Sequence, residues 1–194
     1  MHIYVSRLAR FFAVLGGLAL SALIILTCLS VLGRSVNSLL HGDLMQTVIP
    51  DFSKLLLATG IGPVNGDFEL VEVGMVFAIF AFLPLCNLNG AHASVDIFIA
   101  LLPQRVRDAI RMIVELIFAA VLILIAIQLF AGMVSKRGSG QTTLLLGYPL
   151  WWGYAASVPG AVVAALVAVY IAACRSVEVL TGRTVLPVEM EASH

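Results

Sequence analysis

Residues 8–33 read LARFFAVLGGLALSALIILTCLSVLG, and this almost uninterrupted apolar run decides the class of fold. A helix that crosses the hydrocarbon core of a bilayer, roughly 30 Å thick, needs about 20 predominantly apolar residues. Three further stretches reach this length, at residues 70–88, 109–134 and 148–174. The sequence therefore predicts an all-α integral membrane protein with four transmembrane helices, built as a single membrane domain over residues 1–194.

The composition leaves little material for a water-soluble part. Hydrophobic residues make up 61% of the chain and charged residues 11%, against roughly 45–50% and 25% in an average soluble domain. The longest connection between spans, residues 34–69, is too short for an independent domain. Eleven basic and eleven acidic residues give a net charge of zero, so no overall field would recruit nucleic acid.

The distribution of basic residues predicts the orientation of the chain. Cytoplasmic segments of membrane proteins carry an excess of Lys and Arg. With both termini in the cytoplasm, that side holds seven basic residues and the other side four: Arg7, Arg10, Arg105, Arg107, Arg111, Arg175 and Arg183 against Arg34, Lys54, Lys136 and Arg137. We therefore expect cytoplasmic N- and C-termini.

Two connections have an amphipathic pattern. Residues 36–58, after span one, and residues 93–107, after span two, both place apolar residues on one helical face. Pro50 and Pro103 interrupt them, so we expect short helices in the membrane interface. These segments either tether the chain at the lipid headgroups or contact a partner protein, and the sequence leaves both alternatives open.

Small residues recur at four-residue spacing in spans one and four. Gly17 belongs to the first set, and Gly160, Ala164 and Ala168 belong to the second. Because lipid gives no hydrophobic drive for helix association, small residues that allow close backbone approach mark packing faces. The strip in span four is long, and we expect a second chain to cover part of it.

The chain lacks the residue patterns of an enzyme or of a transport path. Its four histidines, His2, His41, His92 and His194, all lie outside the predicted spans, where they could not ligate a haem in the membrane. No zinc-protease or hydrolase motif is present. Ionisable groups, which usually mark transport paths, are absent from the middle of the spans, where Gln128 is the one strongly polar residue. We therefore expect no enzyme activity, no metal and no cofactor.

Acidic residues are concentrated where span two begins. Asp67, Glu69 and Glu72 lie there together. Asp67 could cap the helix, and carboxylates in the first turn complement the positive end of the helix dipole. Alternatively, Glu69 and Glu72, which share a helical face, pair with a basic residue of a partner subunit or with Arg34.

The stretches GDFELVEVG (66–74), FLPLC (82–86) and HASVDIF (92–98) resemble the small membrane subunit, or Q-type small permease, of tripartite ATP-independent periplasmic (TRAP) transporters. The length and the four spans also resemble that family. The family positions that match are Arg34, Asp67, Glu69, Glu72, His92 and Asp96. His92 and Asp96, four residues apart, could pair on one helix face or simply anchor that segment.

The resemblance implies a multi-pass protein of the bacterial inner membrane that works in a heteromeric complex. Its partners would be a large multi-span permease subunit, a periplasmic substrate-binding protein and membrane lipids. The large subunit would bind the sodium ions and move an organic anion of the C4-dicarboxylate or sialic acid type by symport, while the small subunit acts as its scaffold. The alternative is a four-helix membrane anchor of a respiratory or redox complex, and a self-contained channel is a third possibility.

Overall fold

The computed structural model describes residues 2–41, 64–89 and 103–181, and these form four helices. They are α1 (His2–Leu40), α2 (Asp67–Leu88), α3 (Gln104–Ser139) and α4 (Trp151–Thr181). Each contains a stretch long and apolar enough to cross a membrane, and no strand occurs in the described ranges. The prediction of an all-α membrane protein with four spanning helices is confirmed.

Two of the helices extend well beyond a bilayer. Helix α1 has 39 residues and α3 has 36, which correspond to about 58 and 54 Å at 1.5 Å per residue. Val36–Leu40, expected in an interfacial segment, instead end α1, because no Gly or Pro interrupts the helix there. Likewise, residues 104–107 begin α3 directly after Pro103, the N-cap residue, which lacks the N–H donor that a helix interior requires. The rest of the expected interfacial segments, residues 42–58 and 93–102, lies outside the described residues.

The helices pack in the order α1, α2, α4, α3. Helix α2 packs on α1 and on α4, α4 also packs on α3, and α1 touches α4 only slightly. The two central helices are therefore α2 and α4, while α1 and α3 form the edges. Of the most apolar stretch of each helix, 56% is buried in α4 but only 6% in α1 and 11% in α3. Both edge helices present most of their apolar surface outward.

Small residues on α4 allow its two neighbours to approach closely. A β-carbon on Gly160 would lie 2.8 Å from the carbonyl oxygen of Phe80 in α2. Ala164 and Ala168 are fully buried, in a cluster with Ala119 and Leu122 of α3. Helices α2 and α3 of the same chain therefore cover this strip, for which we expected partial cover by a second chain.

Gly16 makes the close contact of α1 with α2, instead of Gly17 as we expected. A β-carbon on Gly16 would lie 3.0 Å from the β-carbon of Ala81 in α2, whereas one on Gly17 would meet nothing within 4 Å. Gly16 is accordingly buried and Gly17 is half-buried. The α1–α2 contact therefore depends on Gly16.

Residues 140–150 connect α3 to α4 as a tight hairpin. The N–H of Leu150 donates to the carbonyl of Gln141 at 3.0 Å, and the N–H of Thr143 donates to the carbonyl of Tyr148 at 2.9 Å. We call the end of the molecule that carries this hairpin, the start of α2 and Arg34 the hairpin end.

Charged residues delimit an apolar stretch in α1 and α3, and a tryptophan and an arginine delimit one in α4. Arg10 and Arg34 are separated by a distance along α1 of about 36 Å, and Arg111 and Lys136 by about 38 Å along α3. In α4, the stretch from Trp151 to Arg175 also spans about 36 Å. Each separation slightly exceeds the hydrocarbon thickness of roughly 30 Å, so the spacing allows these groups to lie at headgroup level on both sides.

We predict that Gly160→Leu destabilises the chain itself. The added side chain would overlap the α2 backbone, and overpacking of this kind costs about 1–3 kcal/mol. Thermal unfolding of the full chain in detergent measures the effect. Val162→Leu, on the exposed face of α4, is the matched control, and equal unfolding temperatures for the two variants would contradict the close packing at Gly160.

Candidate functional site

The acidic cluster at the start of α2 is the most organised polar region among the described residues. Gly66 occupies the N-cap position with φ 77°, a conformation that glycine adopts without strain. Asp67 therefore follows the cap instead of providing it. Glu69 is buried, and Glu72 is exposed one turn further along. The three carboxylates have different surroundings and different partners.

Glu69 binds the backbone of the hairpin. Its two carboxylate oxygens accept hydrogen bonds from the N–H groups of Leu145, at 2.8 Å, and Leu146, at 3.0 Å. The Tyr148 hydroxyl donates to the backbone carbonyl of Glu69 at 3.1 Å. A buried carboxylate requires such partners, and bonds to an ionised acceptor are stronger than neutral ones. Glu69 thus joins the α3–α4 connection to the start of α2.

Two further contacts support this junction. Burial, and then the negative charges of Glu69 and Glu72, raise the pKa of the Tyr148 phenol, which keeps it protonated as a donor. The Leu146 side chain lies over Gly66, where a β-carbon would overlap it. Glycine is therefore required at position 66 both for its φ and for the space above it.

The tip of the hairpin is apolar and exposed. The exposed fraction is 99% for Leu144 and 70% for Leu145. Because Glu69 binds the backbone of Leu145, the tip keeps a fixed position above the start of α2. Two adjacent leucine side chains at headgroup level can contact either lipid or protein.

Asp67 joins α2 to α1. Its carboxylate accepts a hydrogen bond from the Ser30 hydroxyl and another from the N–H of Phe68, at 2.8 Å. Arg34 forms an ion pair with the same carboxylate at 3.5 Å. One alternative from the sequence paired Glu69 and Glu72 with Arg34, but the structure pairs Arg34 with Asp67, because Ser30 and Arg34 lie one turn apart on the α1 face beside the start of α2.

Glu72 lies at a cleft instead of in the hydrogen-bonded junction. The cleft has a volume of about 480 Å³, and Lys136, Thr143 and Tyr154 also line it. Helices α2 and α3 form its sides, since both pack on α4 without extensive contact with each other.

The remaining sequence-predicted residues lie elsewhere. His92 and Asp96 fall outside the described residues. Gln128 is exposed on α3, away from the cluster. In residues 2–41, 64–89 and 103–181, no group of three or more His, Cys, Asp or Glu side chains is arranged to hold a metal ion.

The hydrogen bonds that Ser30, Leu145 and Leu146 donate to these carboxylates were not predicted from the sequence. Ser30 could have been found, since it lies one helical turn before Arg34 and so shares its face. The amides of Leu145 and Leu146 have no signature in the sequence, because every non-proline residue carries the same donor. Their role follows only from the fold of the hairpin.

We predict that Glu69→Gln loosens the hairpin. Hydrogen bonds to a charged group contribute about 1.5–3 kcal/mol, and a neutral amide has one acceptor oxygen in place of two. Amide hydrogen exchange at Leu145 and Leu146 should quicken about tenfold or more, since 1.4 kcal/mol corresponds to a factor of ten. Glu72→Gln, on the same helix, is the control, and unchanged exchange in Glu69→Gln would contradict the junction.

We also predict that Ser30 contributes more to stability than Arg34 does. Arg34 is 65% exposed, and exposed ion pairs contribute only about 0.2–1 kcal/mol. Ser30 is fully buried, and its removal leaves an acceptor of Asp67 without this donor. Ser30→Ala should therefore lower the unfolding temperature more than Arg34→Gln, and the reverse order would contradict this assignment.

Comparison with known proteins finds a family that covers most of the chain. A family model described as tripartite ATP-independent periplasmic transporters, DctQ component, matches residues 23–178. No curated protein and no solved structure matches the chain. The matched region contains the Ser30–Asp67 contact, the Glu69 junction, most of α2, α3 and α4, and the C-terminal part of α1. The chain belongs to the DctQ component family of tripartite ATP-independent periplasmic transporters.

Proposed function

We propose that this chain is the scaffold subunit of a TRAP transporter, packed in the inner membrane against a large sodium-coupled permease subunit. The family supports a place in such a tripartite system. The distribution of charge supports the scaffold role, because ionisable groups of the described helices cluster towards their ends, whereas transport paths usually carry such groups at depth. Sodium ions and the organic anion then bind the large subunit.

The exposed side chain of Gln128 within a membrane span is the main observation in support of the proposal. This residue lies eight positions before Lys136, which places its amide about 12 Å towards the membrane centre. Its side chain is exposed on the chain alone. A glutamine amide facing lipid leaves its donors and acceptor unsatisfied at considerable cost. A helix of another subunit that hydrogen-bonds to it removes this cost.

The surface around Gln128 is suited to a helix partner. Ala131 and Ser135 follow at one-turn spacing, and small residues let a second backbone approach closely. Apolar residues continue the same stripe towards the opposite end, and the full stripe consists of Ile117, Val121, Leu124, Gln128, Ala131 and Ser135, all exposed. The large permease subunit is the occupant that we propose for this face.

We propose that the hairpin end faces the periplasm, because the excess of basic residues on the other side favours the cytoplasm for that side. There the exposed Leu144 and Leu145 and the junction at Glu69 form a rigid projection. We propose that this projection contributes to the surface on which the periplasmic substrate-binding protein docks. Solutes of the C4-dicarboxylate or sialic acid class would then pass from that protein to the large subunit.

We predict that Gln128→Leu and Ala131→Trp weaken association with the permease subunit. The first removes an interhelical hydrogen bond worth about 0.6–2 kcal/mol, and the second holds the helices apart. Co-purification in mild detergent should fall about threefold or more. Ile123→Trp, on another exposed side of α3, is the control, and retention of the permease by all three variants would contradict the proposed face.

We further predict that transport requires both membrane subunits. Proteoliposomes that contain this chain and the permease should take up an organic anion with the binding protein and an inward sodium gradient, while this chain alone should not. Uptake by this chain alone would contradict the scaffold role, and so would full uptake by the permease in its absence.

A further inference from the structure

The cleft beside Glu72 combines a polar upper part with an apolar lower part. Its upper part contains Glu72, Lys136, Thr143 and Tyr148 at the hairpin end. Its lower part contains Val76 of α2 and Leu129 of α3. Leu129 lies seven residues before Lys136, so the cleft runs about 10 Å from headgroup level towards the membrane centre.

Close packing on α4 keeps the cleft open. A β-carbon on Gly153 would lie 3.1 Å from Val73, and one on Gly132 would lie 3.0 Å from the Tyr154 ring. These contacts hold α2 and α3 against α4 at a set separation, and the volume of the cleft between them is about 480 Å³. This volume falls within the range of roughly 300–1,000 Å³ typical of small-molecule sites.

The two charges of the cleft are of opposite sign and do not neutralise each other. Glu72 and Lys136 both line it but form no ion pair with each other. The Lys136 ammonium donates to the side-chain oxygen of Gln141 at 2.7 Å, which leaves it further N–H donors. Thr143 Oγ1 is out of contact with solvent and lies beside the Glu69 carboxylate. The cleft thus offers a negative group and a positive group.

We propose that this cleft binds one phospholipid whose headgroup carries a primary amine. The phosphate lies at Lys136, the ammonium lies at Glu72, and one acyl chain lies in the groove down to Val76 and Leu129. A zwitterion satisfies both charges at once, whereas an anionic headgroup would leave Glu72 opposed to it.

The position of the cleft supports a lipid as the occupant. Val76 is exposed beside it on α2, at a depth where the surrounding solvent is hydrocarbon. The polar groups lie at headgroup level, and the apolar groups lie deeper, in the same order as in a phospholipid. A water-soluble ligand would instead have to bury its polar surface against Val76 and Leu129.

Native mass spectrometry of the full chain in mild detergent tests the proposal. Phosphatidylethanolamine and phosphatidylglycerol with identical acyl chains are added separately. The amine lipid should bind at a two- to fivefold lower concentration, which corresponds to a charge interaction of about 0.4–1 kcal/mol. Equal binding of the two lipids to the wild-type chain would overturn the proposal.

Two variants separate the headgroup contact from the groove. Glu72→Gln, at an exposed carboxylate that leaves the fold intact, should abolish the preference for the amine lipid. Val76→Trp should lower binding of both lipids by filling the groove, while Val162→Trp, on the exposed face of α4, should not. A preference that survives in Glu72→Gln, or equal binding by the two Trp variants, would overturn the proposal.

A protein occupant is distinguished by photo-crosslinking in cells. A photoreactive amino acid at Val76 of the full chain should cross-link to lipid. Cross-linking to another subunit at this position would show that a protein side chain fills the cleft and would overturn the proposal.

Discussion

The close approach of α2 and α3 to α4 is the constraint on which the rest of this structure depends. In lipid, apolar side chains gain little by leaving their surroundings, so helices associate through tight van der Waals contact. Gly160, Ala164 and Ala168 provide that contact on α4. Once α4 is covered by α2 and α3, α1 packs mainly on α2, and the edge helices keep their outer faces uncovered. The open row of helices is therefore a direct result of where the small residues lie.

The hydrogen bonds and ion pair that join different helices at the hairpin end complete this row. At the hairpin end, Glu69 joins the α3–α4 connection to α2, and Asp67 joins α2 to α1. Without these bonds, the small-residue contacts would join the helices only within the membrane. This component of a tripartite transporter is therefore rigid at the proposed periplasmic end, and the outer faces of its two edge helices are uncovered. Both properties suit the scaffold role that we propose, since a scaffold must hold its shape and offer surface to a partner.

The sequence was sufficient to predict the four-span helical fold, because about 20 apolar residues without charge allow few other structures. It also identified the acidic cluster at Asp67, since the charge pattern is local. It did not predict which glycine of the Gly16–Gly17 pair meets α2, because a difference of one residue rotates a helix face by about 100°. The hydrogen-bond partners of Glu69 could not be predicted either, since backbone amides in a hairpin carry no sequence signal. The last residues of α1 and the first residues of α3 were predicted as interfacial segments, because amphipathic periodicity is the same in a spanning helix and in one lying in the interface.

The central claim is that this chain works as a membrane scaffold for a large permease subunit. Affinity purification through a tag on this chain from its native membrane in mild detergent, followed by mass spectrometry of the proteins retained with it, tests that claim most directly. The account predicts a large multi-span permease in a fixed ratio to this chain. A redox partner with bound haem, or a chain that purifies alone under conditions that preserve other membrane complexes, would contradict it.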